Sequence, residues 1–74
     1  MHDFPIKLKL LRAKKGITQK QLAEVLNIQP NSVQRLEYGT ARPSLDTVIA
    51  IADYFDVSLD YLVGRSDEPR RRRR

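Results

Sequence analysis

The chain has no cysteine and no tryptophan, one methionine, and one histidine, His2, in 74 residues. Without cysteine there is no disulfide framework, no thiolate zinc site and no cysteine nucleophile. A single histidine at the start of the chain leaves chelation short of ligands and acid–base chemistry short of a base. The three glycines, Gly16, Gly39 and Gly64, lie far apart, so a glycine-rich phosphate loop is missing as well. No apolar run approaches the roughly 18 residues of a membrane span, and Met1 to Leu11 alternate charge with leucine where a signal peptide would have an apolar centre. Strand-like alternation and internal repeats are absent. The expectation from these absences is a helical, non-enzymatic chain without cofactor or metal, working in the cytoplasm.

Seventy-four residues is half the length of a typical domain, which leaves no room for a second core. A chain of this size buries only about 60–65% of its unfolded surface. Its folding energy must therefore come from tight packing.

The net charge of +5 is unevenly placed. Five of the 14 basic residues are the run Arg70 to Arg74, so the body has nine basic and nine acidic residues. Up to Arg42 eight basic residues face three acidic ones; from Pro43 to Pro69 only Arg65 faces six acids. A first half near +5 and a second near −5 suggest one face for an anionic partner and another turned away from it. The arginine run after Pro69 cannot pack against itself. Residues 65–74 are thus expected to be a flexible basic tail, and residues 1–5 a flexible start.

Five helices follow from punctuation and period. Residues 6–15 set Leu8, Leu11 and the stem of Arg12 on one face, with Gly16 as a stop. Thr18-x-x-Gln21 is a capping box, and the helix after it turns Leu22, Ala23 and Leu26 inward. Asn27 tolerates a left-handed turn. Pro30 suits the first position of a third helix, which runs to Tyr38 with Val33 and Leu36 inward and stops at Gly39. Ser44 caps a fourth over 45–55, apolar nearly all round and so expected at the centre of the bundle. Ser58 caps a short fifth through Leu59, Tyr61, Leu62 and Val63, ended by Gly64.

The second and third helices have the outline of a helix-turn-helix, whose second helix enters the DNA major groove. Several motifs strengthen that outline: Leu8-x-x-Leu11-Arg12, Gly16-Ile17-Thr18-Gln19-x-x-Leu22-Ala23, Val33-x-x-Leu36-Glu37-x-Gly39, Arg42-Pro43-Ser44 and Val57-Ser58-Leu59-Asp60-Tyr61-Leu62. Together they resemble the phage-repressor and Cro-like helix-turn-helix family over Leu8 to Gly64. The resemblance implies a compact all-α, five-helix domain over residues 6–64 that binds double-stranded DNA, usually as a two-fold dimer, and regulates transcription as a repressor. It further implies a largely buried ion pair between Arg12 and Glu37. Asn27 departs from the family's usual turn glycine, Gln29 from its serine or threonine cap, and Pro30 stands where the best-known relatives carry a base-contacting polar side chain.

Asn31, Gln34, Arg35 and Tyr38 recur at helical spacing opposite Val33 and Leu36. Amide and guanidinium groups pair bidentately with adenine and guanine edges, which makes Asn31, Gln34 and Arg35 the base-reading candidates. Gln19 resembles the family's phosphate clamp at a helix N-terminus. Lys20, Gln29, Ser32, Tyr38, Thr40 and Arg42 are the remaining phosphate candidates. Leu62 alone of the fifth helix is clearly needed inside, leaving Leu59, Tyr61 and Val63 as candidates for a homodimer interface. Two other readings stay open: a protein-interaction module using exposed Val25 and Ile49, and a membrane-surface or RNA role driven by the arginine run.

Overall fold

The computed structural model describes residues 3–70; Met1, His2 and Arg71 to Arg74 lie outside the described residues, as do the corresponding parts of the expected flexible ends. Each helix begins where a backbone amide finds a side-chain partner or a proline removes the need for one. In α1 (Phe4–Lys15) Pro5 occupies the first turn, where its missing N–H leaves nothing unpaired. In α2 (Gln19–Leu26) the capping box is complete: Thr18 Oγ1 accepts from the Gln21 amide at 3.0 Å and the Gln21 side chain accepts from the Thr18 amide at 2.8 Å. Pro30 opens α3 (Pro30–Tyr38). Ser44 and Ser58 cap α4 (Leu45–Phe55) and α5 (Leu59–Leu62) through their hydroxyls. Such caps stabilise by about 1 kcal/mol each. Among the described residues there is no strand.

The core is one cluster drawn from every helix: Phe4 and Leu8 of α1, Leu22, Ala23 and Leu26 of α2, Val33 and Leu36 of α3, Val48, Ile51 and Ala52 of α4, and Leu62 of α5, with Val57 from the connection before α5. Fully burying one such large apolar side chain contributes about 1.5–3 kcal/mol. Packing of α2 against α3 and of α1 against α3 holds the helix-turn-helix, while α4 rests on α2 and α5.

Three expectations need correction. The first helix starts at Phe4, so the expected flexible start is displaced: Phe4 lies four residues before Leu8, shares its face, and is only 2% exposed. Pro5 packs against Gly39; a Cβ there would lie 3.4 Å from Pro5 Cγ, and with φ of +81° the position suits glycine on both counts. The fourth helix is not enclosed on all sides, because Leu45 and Ile49 point outward and only Val48, Ile51 and Ala52 are buried. Residues 65–70 do not run free. The Arg65 and Ser66 amides donate to the Asp60 carbonyl, and the Ser58 amide donates to the Pro69 carbonyl at 2.9 Å, folding this segment back on α5.

Candidate nucleic-acid interface

The geometry of the interface begins at Asn27. Its φ of 58° and ψ of 45° end α2 in the left-handed region, and its amide donates to the last-turn carbonyls of Ala23 and Glu24. The Ile28 amide then donates to the Ala23 carbonyl at 3.0 Å, closing the turn. Asparagine occupies this region at lower cost than most side chains, which is why the turn forms without glycine. Gln29 follows in an extended conformation as N-cap of α3. Its side chain makes no capping bond, so its amide stays available at the surface.

Along α3, Val33 and Leu36 go inward while Pro30, Asn31, Gln34, Arg35 and Tyr38 are exposed. The side chains of Asn31, Gln34 and Arg35 are held by no hydrogen bond or ion pair among the described residues. The three base-reading candidates therefore share one outer face with their donors and acceptors unused. Ser32, half-buried, lines an open cleft of about 190 Å³ with Arg35, Arg42, Pro43, Ser44 and Thr47, so two arginines border one cleft between α3 and the start of α4.

The phosphate candidates divide. Lys20, Gln29, Tyr38 and Arg42 are exposed. Thr40 is exposed too, but its hydroxyl already donates to the Arg35 carbonyl at 3.3 Å and its amide to the same carbonyl at 3.0 Å, so it caps α3. Gln19 is half-buried, with Nε2 donating to Glu37 Oε1 at 3.0 Å. An amide nitrogen carries two hydrogens, so one remains for an anion beside the free amides at the start of α2. Sequence spacing gave no sign of this bond between residues 18 apart.

Behind the face lies the ion pair. Arg12 Nε donates to Glu37 Oε2 at 2.6 Å and its NH2 to Oε1 at 3.1 Å, a bidentate fork, while NH1 donates to the Ile17 carbonyl at 3.0 Å. The Glu37 side chain is 2% exposed and that of Arg12 20%. Burial pushes the Glu37 carboxyl up, but the bonds from Arg12 and Gln19 and the charges of Arg12 and Lys9 outweigh it, and the group stays below its ordinary value. The bond to Glu37 and that carboxylate's charge in turn raise Arg12, against the partial loss of water around it. One carboxylate thus joins α1, the start of α2 and the end of α3.

The dimer candidates are less uniform than the sequence suggested. Leu59 is exposed, whereas Tyr61 and Val63 are half-buried against the core. Tyr61 is not surplus: Lys7 Nζ sits 4.5 Å from its ring centroid and donates to its carbonyl at 2.6 Å, tying α1 to α5.

Two capped helices joined through a left-handed asparagine, the second presenting a polar face over a buried ion pair, define a helix-turn-helix. The family model described as helix-turn-helix matches residues 8–62, and the chain belongs to that family. It is 39% identical over 61 residues to the HTH-type transcriptional regulator ImmR of Bacillus subtilis, covering 82% of this chain and 48% of that protein. It is 36% identical over 62 residues to the cryptic phage CTXphi transcriptional repressor RstR of Vibrio cholerae, covering 81% and 55%. The HTH-type transcriptional activator BcrR of Enterococcus faecalis is 34% identical over 61 residues, covering 82% and 30%. A crystal structure of a transcriptional regulator from Listeria innocua superimposes with a TM-score of 0.80 at 35% identity, over 88% of this chain and 61% of that one. The chain spans about half the length of ImmR and RstR. The class is one of regulators rather than enzymes.

Proposed function

We propose that this chain binds double-stranded DNA sequence-specifically as a cytoplasmic, nucleoid-associated transcriptional regulator, with α3 in the major groove, and that it acts as a repressor. The observation that carries the reading is the outer face of α3. Asn31, Gln34 and Arg35 stand exposed and unengaged on a helix fixed from behind by Glu37. These are the side-chain types that recognise adenine and guanine edges. Gln19, Lys20, Gln29, Ser32 and Arg42 flank that face from α2, the turn and the cleft, and their role is to fix the register on phosphates. Relatives include a named repressor and a named activator. Repression is favoured because it needs only occupancy of the duplex, which a groove-binding domain supplies.

Binding is as a homodimer formed at least on DNA, with Leu59 at the contact and the half-buried Tyr61 and Val63 beside it. A two-fold pair would set two recognition helices about 34 Å apart, one turn of duplex. Selection of bound duplexes from a random library tests the whole reading. The expected outcome is a two-fold symmetric motif with half-sites one helical turn apart; enrichment without a motif would reject sequence-specific reading.

A further inference from the structure

We propose that copies of this chain also associate head to tail, the outward face of α1 in one copy docking on the outward face of α4 in the next. Both faces are unpartnered helix surfaces, and each carries a pair of large aliphatic side chains four residues apart. On α1 these are Ile6 and Leu10, 62% and 54% exposed; on α4 they are Leu45 and Ile49, 71% and 38% exposed. Residues four apart share one side of a helix, so each pair forms a ridge.

The rims are of opposite sign. Exposed Lys9 and Lys14 flank the α1 ridge, with Asp3 beyond its N-terminal end, and exposed Asp46 flanks the α4 ridge, Asp53 being already engaged within the molecule. Lys7 and Lys15 take no part, since their ammonium groups lie over the rings of Tyr61 and Tyr54. The contact of Lys15 with Tyr54 at 4.9 Å joins only the C-terminal ends of α1 and α4. All four ridge side chains stay exposed, so neither ridge is covered within one molecule. A second copy has the complement of each: an apolar pair of the same spacing and a rim of the other charge.

Such a contact joins two different surfaces, so it adds copies in series, as a ring or an open chain, unlike a two-fold contact through α5. It is independent of the DNA-binding reading and of the α5 dimer.

The test is sedimentation of the full chain without DNA. The parent should form species larger than a dimer at low salt, and these should dissociate at high salt. Lys14→Glu and Asp46→Lys lie at exposed positions outside the core, and equal thermal midpoints would show that both fold. Each variant alone opposes like charges and should weaken the larger species by roughly threefold or more. In an equimolar mixture the acidic α1 of one variant meets the basic α4 of the other, and the larger species should return. Leu10→Ser should remove them without a charge change. A parent that never exceeds a dimer at low salt, or a mixture no better associated than its separate components, overturns the proposal.

Discussion

Glu37 is 5% exposed, with one carboxylate oxygen taken by the Arg12 Nε and the other shared between Arg12 and Gln19. A carboxylate so deeply placed keeps its charge only while those donors remain. Arg12→Ala should therefore cost about 3–5 kcal/mol, since it strands a desolvated charge. Against a total near 5 kcal/mol for a small domain, that brings the protein close to unfolded. An unchanged denaturant midpoint would show that the fork contributes nothing. Because the folded Glu37 carboxyl is held down, its contribution is complete above the unfolded-state value, about 4.3, and is lost as pH falls through the lower folded value. Glu37→Gln should accordingly flatten the acid limb of stability against pH, with most of its deficit confined to pH above about 4. On the outer face, Arg35→Ala should lower affinity for the preferred duplex by about 1–3 kcal/mol and relax preference at one guanine. Gln19→Ala should weaken binding to all sequences alike, as a phosphate contact carries no direct base information. Competition across single-base variants separates the two; parallel losses for Arg35→Ala would reassign that arginine to phosphate.

At the scale of the elements, the turn between α2 and α3 sets how the recognition helix leaves the scaffold. Asn27→Ala keeps a Cβ in the left-handed region but removes the short polar side chain that lowers its cost, and should destabilise by about 1 kcal/mol, read as a lowered thermal midpoint without loss of helix content. The helices from α2 onward were legible in the sequence because their ends are written in single residues: Thr18 and Gln21, Asn27, Pro30, Gly39, Ser44 and Ser58 each have a short-range backbone reason to stand at a boundary. The start of α1 was not, since Pro5 reads equally as an entry to a helix and as a chain outside one. Only the burial of Phe4 decides between them. The polar stripe of α3 followed from helical period alone. Bonds that cross between elements did not: Gln19 to Glu37, Lys7 to Tyr61 and Ser58 to Pro69 join residues whose separation carries no local signal. The pairing of Arg12 with Glu37 was an implication of the family likeness, and periodicity alone would have put both at helix edges without matching them.

For the whole molecule, salt separates steering from reading. Each phosphate neutralised steepens the dependence of log affinity on log salt by about 0.9. Removing Arg70 to Arg74 should flatten the slope while leaving the preferred duplex unchanged, and equal slopes would deny the arginine run any role on DNA. Leu59→Asp should reduce two-fold association, seen by ultracentrifugation as monomer and as one protein per duplex on DNA; an unaffected dimer would move the contact elsewhere. The return of residues 65–70 onto α5 also makes the two ends of the domain mechanically unlike. A pull applied beyond Arg70 meets first the hydrogen bonds from Ser58 to the Pro69 and Glu68 carbonyls and the turn at Asp60, which can peel before any helix is loaded. A pull applied at the other end acts almost at once on Phe4, whose ring is seated in the core. A molecule tethered by its C-terminal side would thus give way in two steps, and one tethered by its N-terminal side would bear the load on its core from the outset.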